Sequence, residues 1–351
     1  MITIPEGSSL YYSLLWTDPV ARQRFIARLH LVQTLSRTLD DVQEPQVAQS
    51  KIHWWHEELQ RMVEGTARHP AVQACQDSLA EQRVSPAATT SSAGPGPPGN
   101  THQAMHACLQ ILTAASTERF TPASTIAELD RLVELDYSAR LALLAHSLSD
   151  EPQELDLAAH SRTLARGLGR HERLSRLPRM LHRGLPVFSE ESYRQYGVKP
   201  ADLAQQVRVA GWQPIIDAAS SSTPEDSSPD SSNQDSSSQD TGQAPRSRSS
   251  STGHRIRHGS RERVGENGDN PGQRLLLSAA IAEAHAELQN ALGDAAVREH
   301  YRQGALLPLW RLAVLRERQL ALWQRSQPDL LRERSTETPL VKLYRAWRHR
   351  H

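Results

Sequence analysis

Ser36-Arg37-Thr38-Leu39-Asp40-Asp41-Val42-Gln43-Glu44-Pro45-Gln46-Val47-Ala48-Gln49-Ser50-Lys51-Ile52-His53-Trp54-Trp55 is the stretch around which the chain is organised. An apolar-periodic segment arrives at three carboxylates, Asp40, Asp41 and Glu44. Pro45 then interrupts it, and a second segment begins that carries the Trp54-Trp55 pair. Proline disfavours the α conformation in the residue before it, so Glu44 marks the joint between two helices. Carboxylates one helical turn apart hold divalent cations, and through them diphosphates. They are equally at home as the solvated end of a helix. Close to a helix C-terminus they oppose the helix dipole and call for a compensating cation or for water.

Upstream, Phe25, Ile26, Leu29, Val32, Leu35 and Leu39 recur at three- and four-residue steps, the spacing of an amphipathic helix. Asp18 is placed to cap that helix, with Pro19 in its first turn. Before it stands a short apolar opening, Tyr11 to Trp16. Downstream, Val47, Ile52, Trp55, Leu59 and Met62 continue the helical spacing until Gly65 ends it. Helical spacing then covers about 69–82, 102–115, 124–148 and 155–182, where Pro178 is expected to kink or end the helix. It resumes at about 200–217, 274–292, 306–323 and 339–348. Pro186-Val187-Phe188 reads as extended, with Ser189 capping a short helix after it. No strand-like alternation occurs anywhere.

Two stretches break the pattern. Residues 84–101 are Ser, Ala, Pro, Gly and Thr apart from Val84 and Asn100, and include Gly94-Pro95-Gly96-Pro97-Pro98-Gly99. Residues 218–272 are Ser-rich, acidic at first and basic later, with Ile256 and Val264 as the only branched aliphatics. Such a segment buries too little apolar area to offset its ordering entropy. The reading is therefore an all-α helical bundle, a single domain with two disordered insertions. Its parts are N-terminal helices 1–83, a Pro/Gly/Ser loop 84–101, central helices 102–217, the Ser-rich insertion 218–272 and C-terminal helices 273–351.

Forty basic and forty acidic residues cancel, so no net field steers the chain towards nucleic acid. Only Lys51, Lys199 and Lys342 among the basic residues are lysine. Cys75 and Cys108 make neither a disulfide framework nor a zinc site, which suits a reducing compartment. No secretory signal is evident at Met1 to Gly7, and no run approaches the ~18 apolar residues of a membrane helix. The expected location is the cytoplasm, with peripheral contact at the inner membrane left open.

Smaller signals favour plain readings. His53-Trp54-Trp55-His56 reads as aromatic helix packing with exposed histidine edges. His102 and His106, one turn apart with Cys108 nearby, have metal-compatible spacing but lack a fourth ligand. His56-Glu57-Glu58 is no zinc-protease motif, because Gln60 stands where the second histidine belongs. The arginines of 170–179 are either a salt-bridged face or a phosphate site that needs no metal.

Four features together resemble the squalene/phytoene synthase family. They are Tyr11-Tyr12-Ser13 with the Pro19 to Arg24 run, the Glu44 to Leu59 stretch, Gly167-Leu168-Gly169 leading to Arg183-Gly184 and Gly197-Val198, and the closing Leu306 to Leu309 helix. The resemblance implies an isoprenoid-synthase-like helical bundle. In active members two Asp-x-x-x-Asp motifs on facing helices hold Mg2+ and neutralise a departing diphosphate as two prenyl diphosphates are joined. Counting without gaps from Tyr11-Tyr12, the first motif falls on Ser36 and Asp40. Counting back from Gly197-Val198, the second falls on Arg176 and Met180. Three of the four aspartates are missing. The chain resembles in this an aspartate-poor branch that includes complex I assembly factors of mitochondria. It also shares that branch's Leu-x-x-x-Pro, here Leu174 to Pro178, and its tail from Leu340 to Arg348.

The expected function is thus a non-catalytic binding or assembly factor with no cofactor. Its expected partners are a prenyl diphosphate or other lipid, or a respiratory-complex protein, and not nucleic acid. Tyr12, Arg170, Arg173 and Arg176 are the candidate ligand-binding residues. The alternative is an active prenyltransferase in which Asp40, Asp41 and Glu44 are catalytic, with Asp40 and Glu44 holding magnesium.

Overall fold

Helix starts follow from capping chemistry. Asp18 accepts from the backbone N–H groups of Val20 and Ala21 at 2.9 and 3.1 Å. Thr125 and Glu128 form a reciprocal capping box. Ser8 and Ser189 accept from the N–H groups of Tyr11 and Ser192. The computed structural model describes residues 4–84, 99–149, 157–209, 270–302, 304–331 and 337–350. Among them the helices are α1 (Ser9–Ser13), α2 (Pro19–Arg37), α3 (Pro45–Glu64), α4 (Pro70–Val84), α5 (Gly99–Phe120), α6 (Ile126–Leu148) and α7 (Leu157–Ser175). They continue as α8 (Leu177–His182), α9 (Glu190–Gln195), α10 (Pro200–Val209), α11 (Pro271–Gly293), α12 (Ala295–Arg302), α13 (Leu307–Ser326) and α14 (Pro339–Arg348). The described residues contain no β-strand, so the chain is an all-α bundle, as its spacing implies.

Two apolar clusters hold the bundle. One joins α2, α3, α4 and α5 through residues such as Leu31, Leu35, Leu59, Met62, Val72 and Ile111. The other joins α6, α7, α11 and α13 through Leu144, Leu164, Leu168, Ala284, Leu288 and Ala313. Met1–Ile215 and Asn270–His351 make up one compact unit, separate from Ile216–Asp269. The latter segment falls outside the described residues. None of the described helices is long and apolar enough to cross a membrane.

Several boundaries differ from the sequence reading. The 84–101 loop gives up Val84 to α4 and Gly99 to Thr101 to α5, and the rest lies outside the described residues. The Ser-rich segment likewise yields its last residues to α11. Asn270 caps that helix with its side chain on the Gly272 N–H at 3.0 Å, and Pro271 takes the first turn. The helix expected over 155–182 breaks at Arg176, two residues before Pro178, because proline sits at the start of α8 and not at the end of α7. α12 lies in a stretch whose spacing predicts no helix: Asp294, accepting from the Ala296 and Val297 N–H groups, starts it.

Candidate functional site

α2 ends at Arg37, and the turn beyond it lowers Asp40 into the seam among α2, α5, α6, α7 and α8. There it meets α8. Arg179 Nη2 lies 3.2 Å from Asp40 Oδ2, and Arg183 Nη1 donates to the same oxygen. Asp40 is buried, whereas the Asp41 side chain is 81% exposed and reaches only Arg183, at 3.6 Å. Glu44 is an exposed N-cap residue of α3 that makes no side-chain cap bond. Ser36, at the leading position of the first motif, turns its hydroxyl back to donate to Val32 O at 2.6 Å. That bond is ordinary helix back-bonding.

Around Asp40 is a narrow cavity of about 40 Å³, lined by α2, α5, α6, α7 and α8. Side chains fill the rest of the seam in acid–base pairs. Arg173 of α7 donates to Glu118 of α5. Arg140 Nη2 and Asp136 Oδ2, one turn apart on α6, are 2.5 Å apart. Arg316 of α13 lies 3.6 Å from Glu172 of α7. Burial works to raise Glu172, but Arg316, then Arg176, Arg140 and Arg37, outweigh it and hold the carboxyl below its ordinary range. Burial lowers Arg179, and so do its neighbours Arg37, Arg183 and Arg176, against the pull of Asp40. Burial alone would also lower Arg140; Asp136 reverses the sign and keeps its guanidinium charged. Tyr137 is pushed up by burial and then by Glu172. Behind this layer His171 is stacked on Trp323 at 5.3 Å. Its Nε2 faces Gln319 Oε1 at 3.0 Å, while its Nδ1 faces the Arg316 guanidinium at 3.1 Å. Those partners assign the proton to Nε2. Burial, then Arg316, hold the ring far below its usual range.

Of the expected ligand residues, Arg173 and Arg176 line this cavity and Tyr12 and Arg170 do not. Tyr12 packs on Leu315 and Ala346 in a separate small cluster. Arg170 turns to the other side of α7, where it meets Asp130 and Glu283 at 2.5 Å each and Glu287 at 3.3 Å. The reason is helical phase: a three-residue step leaves 170 and 173 about 60° apart around α7, and Arg176 lies just past its end. Asp136, Arg140, Glu118, Glu172 and Arg316 join the site without having stood out in the sequence, and Arg183, quoted there only as part of Arg183-Gly184, joins it as a partner of Asp40. A signal existed for Arg140. Val133, Tyr137, Arg140 and Leu144 share the inward phase of α6, so a charged side chain was due in the interior. His102 and His106 are exposed while Cys108 is buried, which separates that trio. Trp54 and Trp55 are edge-to-face at 5.0 Å, and His69 packs against both.

The donor set does not fit a divalent cation. The first-motif carboxylate is already shared by two guanidiniums, and the facing positions are Arg176 and Met180. A cation entering there would meet positive charge. Among the described residues no three His, Cys, Asp or Glu side chains converge as a metal site requires. The space is also short: small-molecule pockets run to roughly 300–1,000 Å³, several times the volume found.

The model of the squalene/phytoene synthase family matches residues 5–222. No curated protein is similar enough to count as a relative. Among twelve matching solved structures is the crystal structure of a dehydrosqualene synthase in complex with ligand. It has a TM-score of 0.55 and 11% sequence identity, and the match covers 97% of this chain and 90% of that one. That likeness is one of fold.

Proposed function

The chain belongs to the squalene/phytoene synthase family, and from that premise we propose that it is a non-catalytic member, a binding or assembly factor built on the synthase bundle. One observation carries this reading: Asp40 is neutralised in place by Arg179 and Arg183. A carboxylate that already has two guanidinium partners is not available to a metal–diphosphate complex. Further support comes from Arg176 and Met180 at the second motif and from the filled seam. As a binder it has little room for a prenyl chain at this site, so its partner is engaged on its surface. The alternative of a working prenyltransferase, with Asp40 and Glu44 on magnesium, has less behind it: Glu44 is exposed and outside the cavity lining.

The test is diphosphate release by the purified full chain from farnesyl or geranylgeranyl diphosphate with magnesium, beside an active synthase. The expected result is a rate equal to that of the protein-free blank. Release that disappears with a chelator and with Asp40→Ala would overturn the reading.

A further inference from the structure

α14 is packed inside out. Its inward face is Lys342 and Ala346. Lys342 Nζ donates to Gly7 O at 3.1 Å, and Ala346 closes on Tyr12 and Leu315. Its outward face is a stripe of Leu340, Leu343, Tyr344 and Trp347, at the i, i+3, i+4 and i+7 positions of one helix face, with Val341 at its edge. Of the eleven large apolar side chains exposed among the described residues, five stand on this one helix. A helix on an ordinary protein surface turns such a stripe inward. Turned outward, it marks contact with something apolar beyond the chain.

The stripe is held firmly. Tyr344 and Trp347 are stacked at 6.2 Å, and Arg350 lies over the Trp347 ring at 5.0 Å. Arg311 ties the end of α14 to α1: it donates to His349 O and Arg350 O, each at 2.9 Å, and to Ser13 O at 3.2 Å. The same guanidinium lies 5.3 Å over Trp16, itself 41% exposed. The apolar stripe thus adjoins a second tryptophan through a fixed cation.

Charge selects the occupant. The whole chain is neutral, yet residues 337–350 carry four cations against one acid: Lys342 turns inward and Arg345 pairs with Glu337, which leaves Arg348 and Arg350 as the exposed basic rim. Around His349 crowd Arg302, Arg348, Arg311 and Arg318. A second copy of the chain would set this basic rim against its own like, which is costly. An anionic lipid surface supplies both complements, phosphates for the rim and an acyl boundary for the stripe, and it suits the tryptophan and tyrosine that lie at the junction. We propose that α14 lies in the headgroup layer of an anionic bilayer, with Leu340, Leu343, Tyr344 and Trp347 entering the acyl boundary and Arg348 and Arg350 meeting lipid phosphates. The inference is independent of what the Asp40 cavity does.

The experiment is co-sedimentation of the purified full chain with vesicles of phosphatidylcholine alone and of an equal mixture of phosphatidylcholine and phosphatidylglycerol. Partition onto the mixed vesicles is expected to exceed that onto neutral ones by about tenfold or more and to weaken with added salt. Arg348→Glu should lower it by about fivefold or more. The triple variant Leu340→Ser, Tyr344→Ser, Trp347→Ser alters exposed positions only and should keep its circular dichroism while losing the partition. Equal binding to both vesicle types, no binding to either, or a triple variant that still partitions would overturn the proposal. So would a dimer, seen by sedimentation velocity, that the triple variant splits, because the stripe would then be a self-contact.

Discussion

Asp40 shows how one residue changes meaning with its neighbours. The family resemblance puts a metal ligand at its sequence position, whereas its contacts are those of a structural anion. Arg179 and Arg183 share it, with Arg37 and Arg176 close behind, so it is the counter-charge of a guanidinium cluster. Removing one partner of an enclosed ion pair leaves the other charge without compensation, which costs more than the pair itself contributes. Asp40→Asn is therefore expected to destabilise the fold by about 1–3 kcal/mol, discounted for the partial exposure of both arginines. Urea unfolding monitored by circular dichroism measures it. A ligand carboxylate held in a working site at a cost to stability would give the opposite sign, because relieving such strain stabilises. An unchanged or raised midpoint would thus count against the structural role.

At the scale of elements, α7 is the axis of the bundle, packed between α6 and α11. It comes this close because Gly167 and Gly169 offer no Cβ. A methyl at Gly167 would lie 2.7 Å from Leu288 Cγ and 3.0 Å from the Leu288 backbone nitrogen; one at Gly169 would lie 2.5 Å from Val133 Cγ1. Backbone cannot step aside as a side-chain tip can. Gly167→Ala should accordingly cost about 1–3 kcal/mol through overpacking, despite the ~1 kcal/mol that alanine gains in helix propensity. Gly293→Ala, with open space around it, is the control and should be neutral or slightly stabilising. Thermal melts of both variants decide it, and equal midpoints would refute the close-packing account. The same pair of glycines is visible in the sequence only as part of a motif. Nothing local says which helix approaches.

For the molecule as a whole, histidine burial sets the acid response. His30, His69, His146, His171 and His349 are all held below the usual imidazole range, in each case chiefly by burial. The unfolded chain takes up these protons at about pH 6.5, and the folded chain resists them. Stability is therefore fully present above about pH 6.5 and declines as the pH falls through the window below it, where the unfolded state binds more protons. Glu58 adds a later loss. Burial works to raise it, but the backbone N–H groups of His69 and Arg68 and the Arg61 guanidinium hold it below its ordinary range. Its contribution is lost as the pH drops through that lowered value. Urea midpoints should hold between about pH 7.5 and about pH 6.5 and then fall towards about pH 5, and His171→Gln should flatten the slope. A pH-independent midpoint would contradict this.

The sequence by itself determined the helical class, most helix positions and the family, and it put Ser36, Arg176 and Met180 where the family resemblance calls for aspartate. Those follow from spacing, caps and register, which are local along the chain. Only the tertiary structure decided that Asp40 pairs with Arg179 and Arg183, that Arg170 serves the far side of α7, that Tyr12 sits in another cluster and that α14 turns its apolar stripe outward. Helical phase says which residues share a face. It does not say which other helix that face meets, and ion pairs between residues 139 and 143 positions apart depend on that packing alone.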